Sequence, residues 1–235
     1  MSVSGMLVSR EMSVPVRAID GEPIELPGRL VLPENAIGLV LFAHGSGSSR
    51  SSPRNTFVAG VLHESWIGTF LFDLLTEQEA DERVNVFDVG LLADRLVAAV
   101  RLMAMDPLTS TLPIGLFGAS TGAGAALIAA TREHRIAAVV SRGGRVDMAG
   151  PLLKRVQVPT LLVVGSHDED VLALNREALE QLAGTKQLAI VRGASHLFEE
   201  PGTLEEVATL ASEWFARHLG PGRREATAEE RGRTA

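Results

Sequence analysis

The stretch Pro113-Ile-Gly-Leu-Phe-Gly-Ala-Ser-Thr-Gly-Ala-Gly124 decides how the rest of the chain is read. Its first half is a short apolar run of the kind that forms a buried strand, and its second half opens a run of small and apolar residues that reads as a helix. Between them stands Gly118-Ala119-Ser120-Thr121-Gly122, which fits the G-x-S-x-G turn joining a strand to a helix. That turn is sharp, so the positions around the serine must be small for strand and helix to approach. The geometry lifts Ser120 to the edge of a sheet, beside a helix N-terminus with its partial positive charge. There the backbone amide of Thr121 can receive a developing oxyanion. A plain small-residue turn would use the same residues, so the reading depends on what surrounds it.

Outward from this junction, short apolar runs alternate with longer amphipathic stretches, the pattern of a mostly parallel sheet with helices on both faces. Candidate buried strands are residues 38–45, 67–75, 113–120, 136–141, 159–166 and 186–193. Helical spacing predicts helices over roughly 54–64, 88–105, 121–132, 171–183 and 203–219. In the second, Val89, Leu92, Leu96 and Val100 form the apolar stripe, with Asp94, Arg95 and Arg101 available for the solvent side. Residues 12–19 and 24–32 flank Asp20-Gly21 and predict an antiparallel hairpin, with Pro15, Pro23 and Pro27 suited to an edge. The length fits one domain over 1–219. Residues 220–235 lack large apolar side chains and read as a disordered tail. No connection is long enough for a substantial lid.

A serine on such a turn needs a base and an orienting acid, in the chain order serine, acid, histidine. After the strand at 159–166 comes Gly165-Ser-His-Asp-Glu-Asp-Val171, and after the next comes Gly193-Ala-Ser-His-Leu-Phe198. Asp168 and His196 thus fall in loops at the carboxyl ends of neighbouring strands, which converge at one edge of an open sheet. Asp147 and Asp170 compete for the acid's place. Asp147 has Arg142 and Arg145 close in sequence, and Asp170 stands where a carboxylate caps the helix starting near Val171. His44-Gly45-Ser46-Gly47-Ser48-Ser49-Arg50 follows the first parallel strand, and the amide of Ser46 is the candidate second oxyanion donor. His44 reads as a structural residue holding that loop. His63, His134 and His218 read as surface residues. Gly118-x-x-x-Gly122-x-Gly124 also mimics the cofactor loop of short-chain dehydrogenases, but it lies after several strands, and the chain has no tyrosine to serve as their catalytic residue. No Gly-Lys-Ser/Thr follows for a phosphate loop.

Taken together, FAHGSGSSR, LFGASTGAG, SRGGRVD, VGSHDEDV and GASHLFEEPG resemble the α/β-hydrolase superfamily, and within it the dienelactone-hydrolase-like proteins, over about residues 12–219. The resemblance implies the α/β-hydrolase fold and a cofactor-independent serine hydrolase with nucleophile Ser120, base His196 and acid Asp168. Dienelactone hydrolases proper carry cysteine at the nucleophile position. Ser120 shifts the expectation toward a general carboxylic ester, lactone or thioester. Acyl transfer to an acceptor other than water would use the same residues, and a non-catalytic binding protein on this scaffold is the alternative outside enzymes.

Composition narrows the field further. A net charge of -7 gives no pull toward nucleic acid or an anionic membrane. The absence of cysteine excludes disulfides, thiolate metal sites and a cysteine nucleophile. No metal-ligand cluster is visible, so neither metal nor other cofactor is expected, and the partner is a small ester-like molecule. No apolar run approaches the roughly 20 residues that span a bilayer. Met1 to Arg10 lacks the pattern of a secretory signal, which makes the cytoplasm the expected location. Arg142 and Arg145 either brace loops, by pairing with Asp147 or Asp168, or receive a substrate carboxylate as a fork.

Overall fold

The computed structural model describes residues 7–220, so the expected tail over 220–235 lies almost wholly outside the described residues. The chain opens with β1 (Leu7–Arg17) and β2 (Pro23–Pro33), then runs β3 (Gly38–Ala43), α1 (Pro53–Glu64) and β4 (Ile67–Phe72). Two short helices, α2 (Glu77–Ala80) and α3 (Arg83–Phe87), precede α4 (Val89–Met105). The second half alternates β5 (Ile114–Ala119), α5 (Thr121–Arg132), β6 (Ile136–Arg142), β7 (Thr160–Gly165), α6 (Glu169–Gln181), β8 (Lys186–Val191) and α7 (Thr203–Leu219). A 3₁₀ segment over Val146–Arg155, interrupted at Gly150, separates β6 from β7. Its irregular period hides it from a pattern search.

The strands form one sheet in the order β1-β2-β4-β3-β5-β6-β7-β8. Pairing is antiparallel for β1 with β2 and for β2 with β4, and parallel from β4 through β8. This is the α/β-hydrolase architecture expected from the sequence. Alternation along the central strands divides the core into two layers. Leu39, Leu41, Leu116 and Val139 pack with α4 and α5 on one face. Val40, Phe42, Phe117 and Val140 pack with α1 and α7 on the other.

Three expectations change with the structure. Pro15 does lie on the edge strand β1, but β2 is an inner strand, and Pro27 sits where its pairing with β4, which runs over Gly28–Val31, has ended. β8 is itself an edge strand with Lys186 and Gln187 exposed, rather than a strand buried on both faces. Arg95 is not on the wet side of α4. It is 2% exposed and donates to Glu79 Oε1 at 2.8 Å. Glu79 also closes a capping box with Thr76, so the buried pair ties the start of α2 to the body of α4. A carboxylate partner of this kind offsets much of the cost of burying a guanidinium.

Two of the three histidines expected at the surface are also held. His218 stacks its ring against Trp214, with centroids 4.4 Å apart. His63 is half-buried and hydrogen-bonded to Thr69 Oγ1 at 2.8 Å, and burial, aided by Arg29, pushes its pKa down to about 4. His134 remains exposed. An unfolded histidine titrates near 6.5, so between about pH 6.5 and 4 the unfolded chain binds a proton that the folded chain refuses. Stability therefore falls as pH drops through that window. His63→Gln is expected to flatten this part of the slope, read as melting temperature against pH beside the parent protein. Superimposable slopes would show that His63 does not carry the effect.

Candidate active site

Ser120 joins β5 directly to α5 with φ 50° and ψ −122°, one of four non-glycine residues at positive φ among the described residues. A non-glycine residue in such a conformation costs about 1–3 kcal/mol, so the surroundings must impose it. They do so through close backbone approach. A Cβ on Gly118 would lie 2.5 Å from Ala123 Cα, and one on Gly122 would lie 2.2 Å from the Ala43 carbonyl oxygen at the end of β3. The carbonyl of Ser120 accepts from the amides of Arg145 at 3.0 Å and Ala123 at 3.1 Å, while its own amide donates to Arg142 O at 3.2 Å. The turn is thus clamped from three sides.

Asp168 and His196 meet as the sequence predicts. The His196 ring donates from Nδ1 to Asp168 Oδ2 at 2.6 Å, with the carboxylate side chain only 13% exposed. Asp168 occupies the N-cap position of α6 yet makes no side-chain cap, because its carboxylate is turned to the histidine. Asp170, expected to be that cap, lies inside the first turn. The two loops are stitched together around this contact. Gly193 N donates to Ser166 Oγ at 2.8 Å, and His167 N donates to Ala194 O at 3.0 Å. The Ser195 amide donates to Glu200 Oε2 at 3.0 Å, and hydrogen bonds from the Ser195 amide and hydroxyl lower the pKa of that carboxylate. A Cβ on Gly143 would lie 3.5 Å from His196 Nδ1. Since Gly143 follows the residue that holds the Ser120 amide, the serine and histidine flank the same short stretch of backbone. Among the described residues no hydrogen bond joins Ser120 Oγ to His196 in this structure.

The loop after β3 closes the third side. His44 accepts from Leu74 N at Nε2 and donates from Nδ1 to Gly45 O, both at 3.1 Å, which is the structural role expected of it. Burial lowers its pKa, against the opposing pull of the Gly45 carbonyl and Asp73. Arg50 fixes the far end of the loop by donating to both carboxylate oxygens of Asp73, at 2.7 Å from its amide and 3.1 Å from Nε. The Ser46 amide, the candidate oxyanion donor, is bonded at 3.1 Å to the Thr121 hydroxyl oxygen. Gly45, Ser46 and Thr121 line an open cavity of about 1320 Å³, walled on its other sides by Ile19, Asp73 and Val84, among others.

Comparison with known proteins places this arrangement. The dienelactone hydrolase family model matches residues 76–219. The chain belongs to the dienelactone hydrolase family. A solved dienelactone hydrolase from Anabaena variabilis is 52% identical, with a TM-score of 0.83 over 90% of this chain and 99% of that one. The esterase Est1E from Butyrivibrio proteoclasticus shares the fold at 16% identity, with a TM-score of 0.72 over 88% of this chain and 98% of that one. A Mycobacterium tuberculosis (strain H37Rv) protein provisionally named a phosphoribosyl transferase is 55% identical over 202 residues. This chain spans about half the length of that curated relative, 46% of it, and the match takes in 85% of this chain.

The two candidate arginines behave differently. Arg145 forks onto Asp147 at 2.9 and 2.8 Å, an ordinary brace that takes both residues out of contention for other work. Arg142 is 8% exposed, and among the described residues its side chain's one hydrogen bond is to Asn55 Oδ1 at 3.4 Å. Its Nε and Nη1 are buried without partners, and burial, with Arg54 nearby, lowers its pKa to about 10. Asn55 and Arg54 on α1 were invisible in the sequence because each lies far along the chain from the group it serves, whereas Glu200 lies within the quoted GASHLFEEPG but nothing local marks its bond to the Ser195 amide. Among the described residues no group of three or more histidine and carboxylate side chains could hold a metal ion, and no helix is long and apolar enough to cross a membrane.

The strain at residue 120 is directly measurable. Ser120→Gly keeps the backbone angles without a Cβ and is expected to be more stable than Ser120→Ala by about 1 kcal/mol. Urea denaturation of the two variants gives the difference. An alanine variant as stable as the glycine variant would mean that the turn carries no strain.

Proposed function

We propose that the chain is a serine hydrolase that cleaves a carboxylic ester, lactone or thioester through an acyl-enzyme on Ser120. The observation that carries this reading is the 2.6 Å bond from His196 Nδ1 to Asp168, made by an acid that forgoes capping its own helix. That bond assigns the Nδ1 proton and leaves Nε2 as the basic nitrogen. His196 takes the Ser120 hydroxyl proton as Oγ adds to the carbonyl carbon, and Asp168 stabilises the resulting imidazolium. The oxyanion forms beside the Thr121 backbone amide and the Ser46 loop. Collapse of the tetrahedral adduct expels the alcohol or thiol, which receives the proton from His196. Water then adds to the acyl-enzyme with the same base, releasing the acid and restoring Ser120. The cavity against Gly45, Ser46 and Thr121 supports a place for the substrate beyond the reacting carbonyl. Arg142 has buried donors without partners while Arg145 is committed to Asp147, so a substrate carboxylate would be received at Arg142 rather than at Arg145.

The phosphoribosyl transferase name belongs to a protein of which this chain matches only about half. The residues gathered here are those of acyl chemistry, and the Gly118–Gly124 turn is used to expose Ser120. Hydrolysis therefore remains the better reading of this part.

Ser120→Ala is expected to lose several powers of ten in kcat toward p-nitrophenyl esters while keeping its melting transition. Asp168→Asn is expected to lose about 10⁴-fold, as when a histidine is held in the wrong tautomer. Asp147→Asn should stay within a few-fold of the parent. A fluorophosphonate probe should label Ser120 in the parent protein. No labelling, or an Asp147 variant that loses turnover while the Asp168 variant keeps it, would refute the assignment.

A further inference from the structure

We propose that the Thr121 hydroxyl, held by the Ser46 amide, is the second donor of the oxyanion hole, a reading that rests on the serine-hydrolase function above. The direct alternative, donation by the Ser46 amide itself, conflicts with the structure. That amide already points at Thr121 Oγ1 at 3.1 Å. An N–H aimed at one acceptor gives little to a second.

A hydroxyl offers one proton and two lone pairs. At Thr121 the Ser46 amide fills a lone pair, and among the described residues no protein group accepts the proton. Thr121 is 2% exposed, with its small accessible surface in the lining of the cavity it shares with Gly45 and Ser46. The unclaimed proton is therefore free to turn toward that cavity, and Thr121 directly follows Ser120 on the chain. Donation from the amide into Oγ1 polarises the O–H and strengthens what it can donate onward. The β-branched side chain has few rotamers at the start of a helix, so the hydroxyl is fixed before substrate arrives. Its backbone N–H, at the first position of α5, has no carbonyl four residues back to bond. One residue thus supplies both donors, N–H and Oγ–H, to the oxygen that gains charge as Ser120 adds. No bond to Thr121 is made or broken, and its proton stays on Oγ throughout.

The test is Thr121→Val, which keeps shape and backbone amide but removes the hydroxyl, beside Thr121→Ser, which restores it. With a p-nitrophenyl acyl ester the valine variant is expected to lose about 10²–10³ in kcat, the loss typical of one oxyanion donor, with KM within about three-fold. The serine variant should recover to within about ten-fold of the parent. A trifluoromethyl ketone, which becomes a tetrahedral oxyanion on the serine, should bind the valine variant more weakly by the same factor as kcat falls. Unchanged or increased kcat in Thr121→Val would overturn the proposal and return the role to the Ser46 amide. So would a loss accompanied by an equal rise in KM or by a melting temperature several degrees lower, which would mark the hydroxyl as a loop brace alone. Fluorophosphonate labelling of the parent separates the two levels. If Ser120 is unlabelled, the serine-hydrolase reading itself fails. If Ser120 is labelled, the outcome at Thr121 bears on this proposal only.

Discussion

The contact between Gly122 and the carbonyl of Ala43 is the constraint on which the site depends. It presses the first turn of α5 against the end of β3, closer than any side chain would permit. With Gly118 allowing the same approach on the β5 side, the chain cannot pass from strand to helix in a relaxed conformation, and the residue between them is forced to positive φ. That residue is Ser120. The strain exposes the hydroxyl at the sheet edge and brings the Thr121 side chain within reach of the loop after β3. The exposure of Ser120 and the Ser46–Thr121 bond are therefore consequences of one packing event.

Several acids of the chain are paired with arginines, whereas Asp168 is paired with a histidine. Asp147 is consumed by Arg145, Asp73 by Arg50, and Glu79 by the buried Arg95. Asp168 has His196 as its partner, and its helix starts without a side-chain cap as a result. A missing cap costs about 1 kcal/mol. Arg142 shows the opposite imbalance, a buried cation with two unpartnered nitrogens and only an amide oxygen for company. It lies at the end of β6, where its carbonyl takes the amide of Ser120, so its unmet donors belong to the surroundings of that serine.

Much of this was legible in the chain itself. The alternation of short apolar runs with helical stripes is dictated by burial on two faces of a parallel sheet, and the turn at 118–122 is dictated by backbone clearance. Both are local, so Ser120, Asp168 and His196 could be placed on their loops, and the hairpin at the N-terminus could be placed beside them. The family resemblance carried by those loops agreed with the later comparisons. What the sequence could not order were contacts set by distance in space. Arg95 looked like a solvent-side residue until Glu79, across the α2–α4 connection, was seen to bury with it. β8 looked like a central strand because its apolar content does not reveal that nothing pairs beyond it.

The sequence by itself determined the strands, the long helices, their order and the loop positions of Ser120, Asp168 and His196, because these follow from periodicity, glycine clearance and the order of motifs. Only the tertiary structure decided which acid meets the histidine, which arginine is spent on a brace, and where the Ser46 amide points. Those outcomes turn on separations of about 3 Å between groups on different loops, and such distances are set by how the loops pack at the sheet edge, which no local pattern encodes.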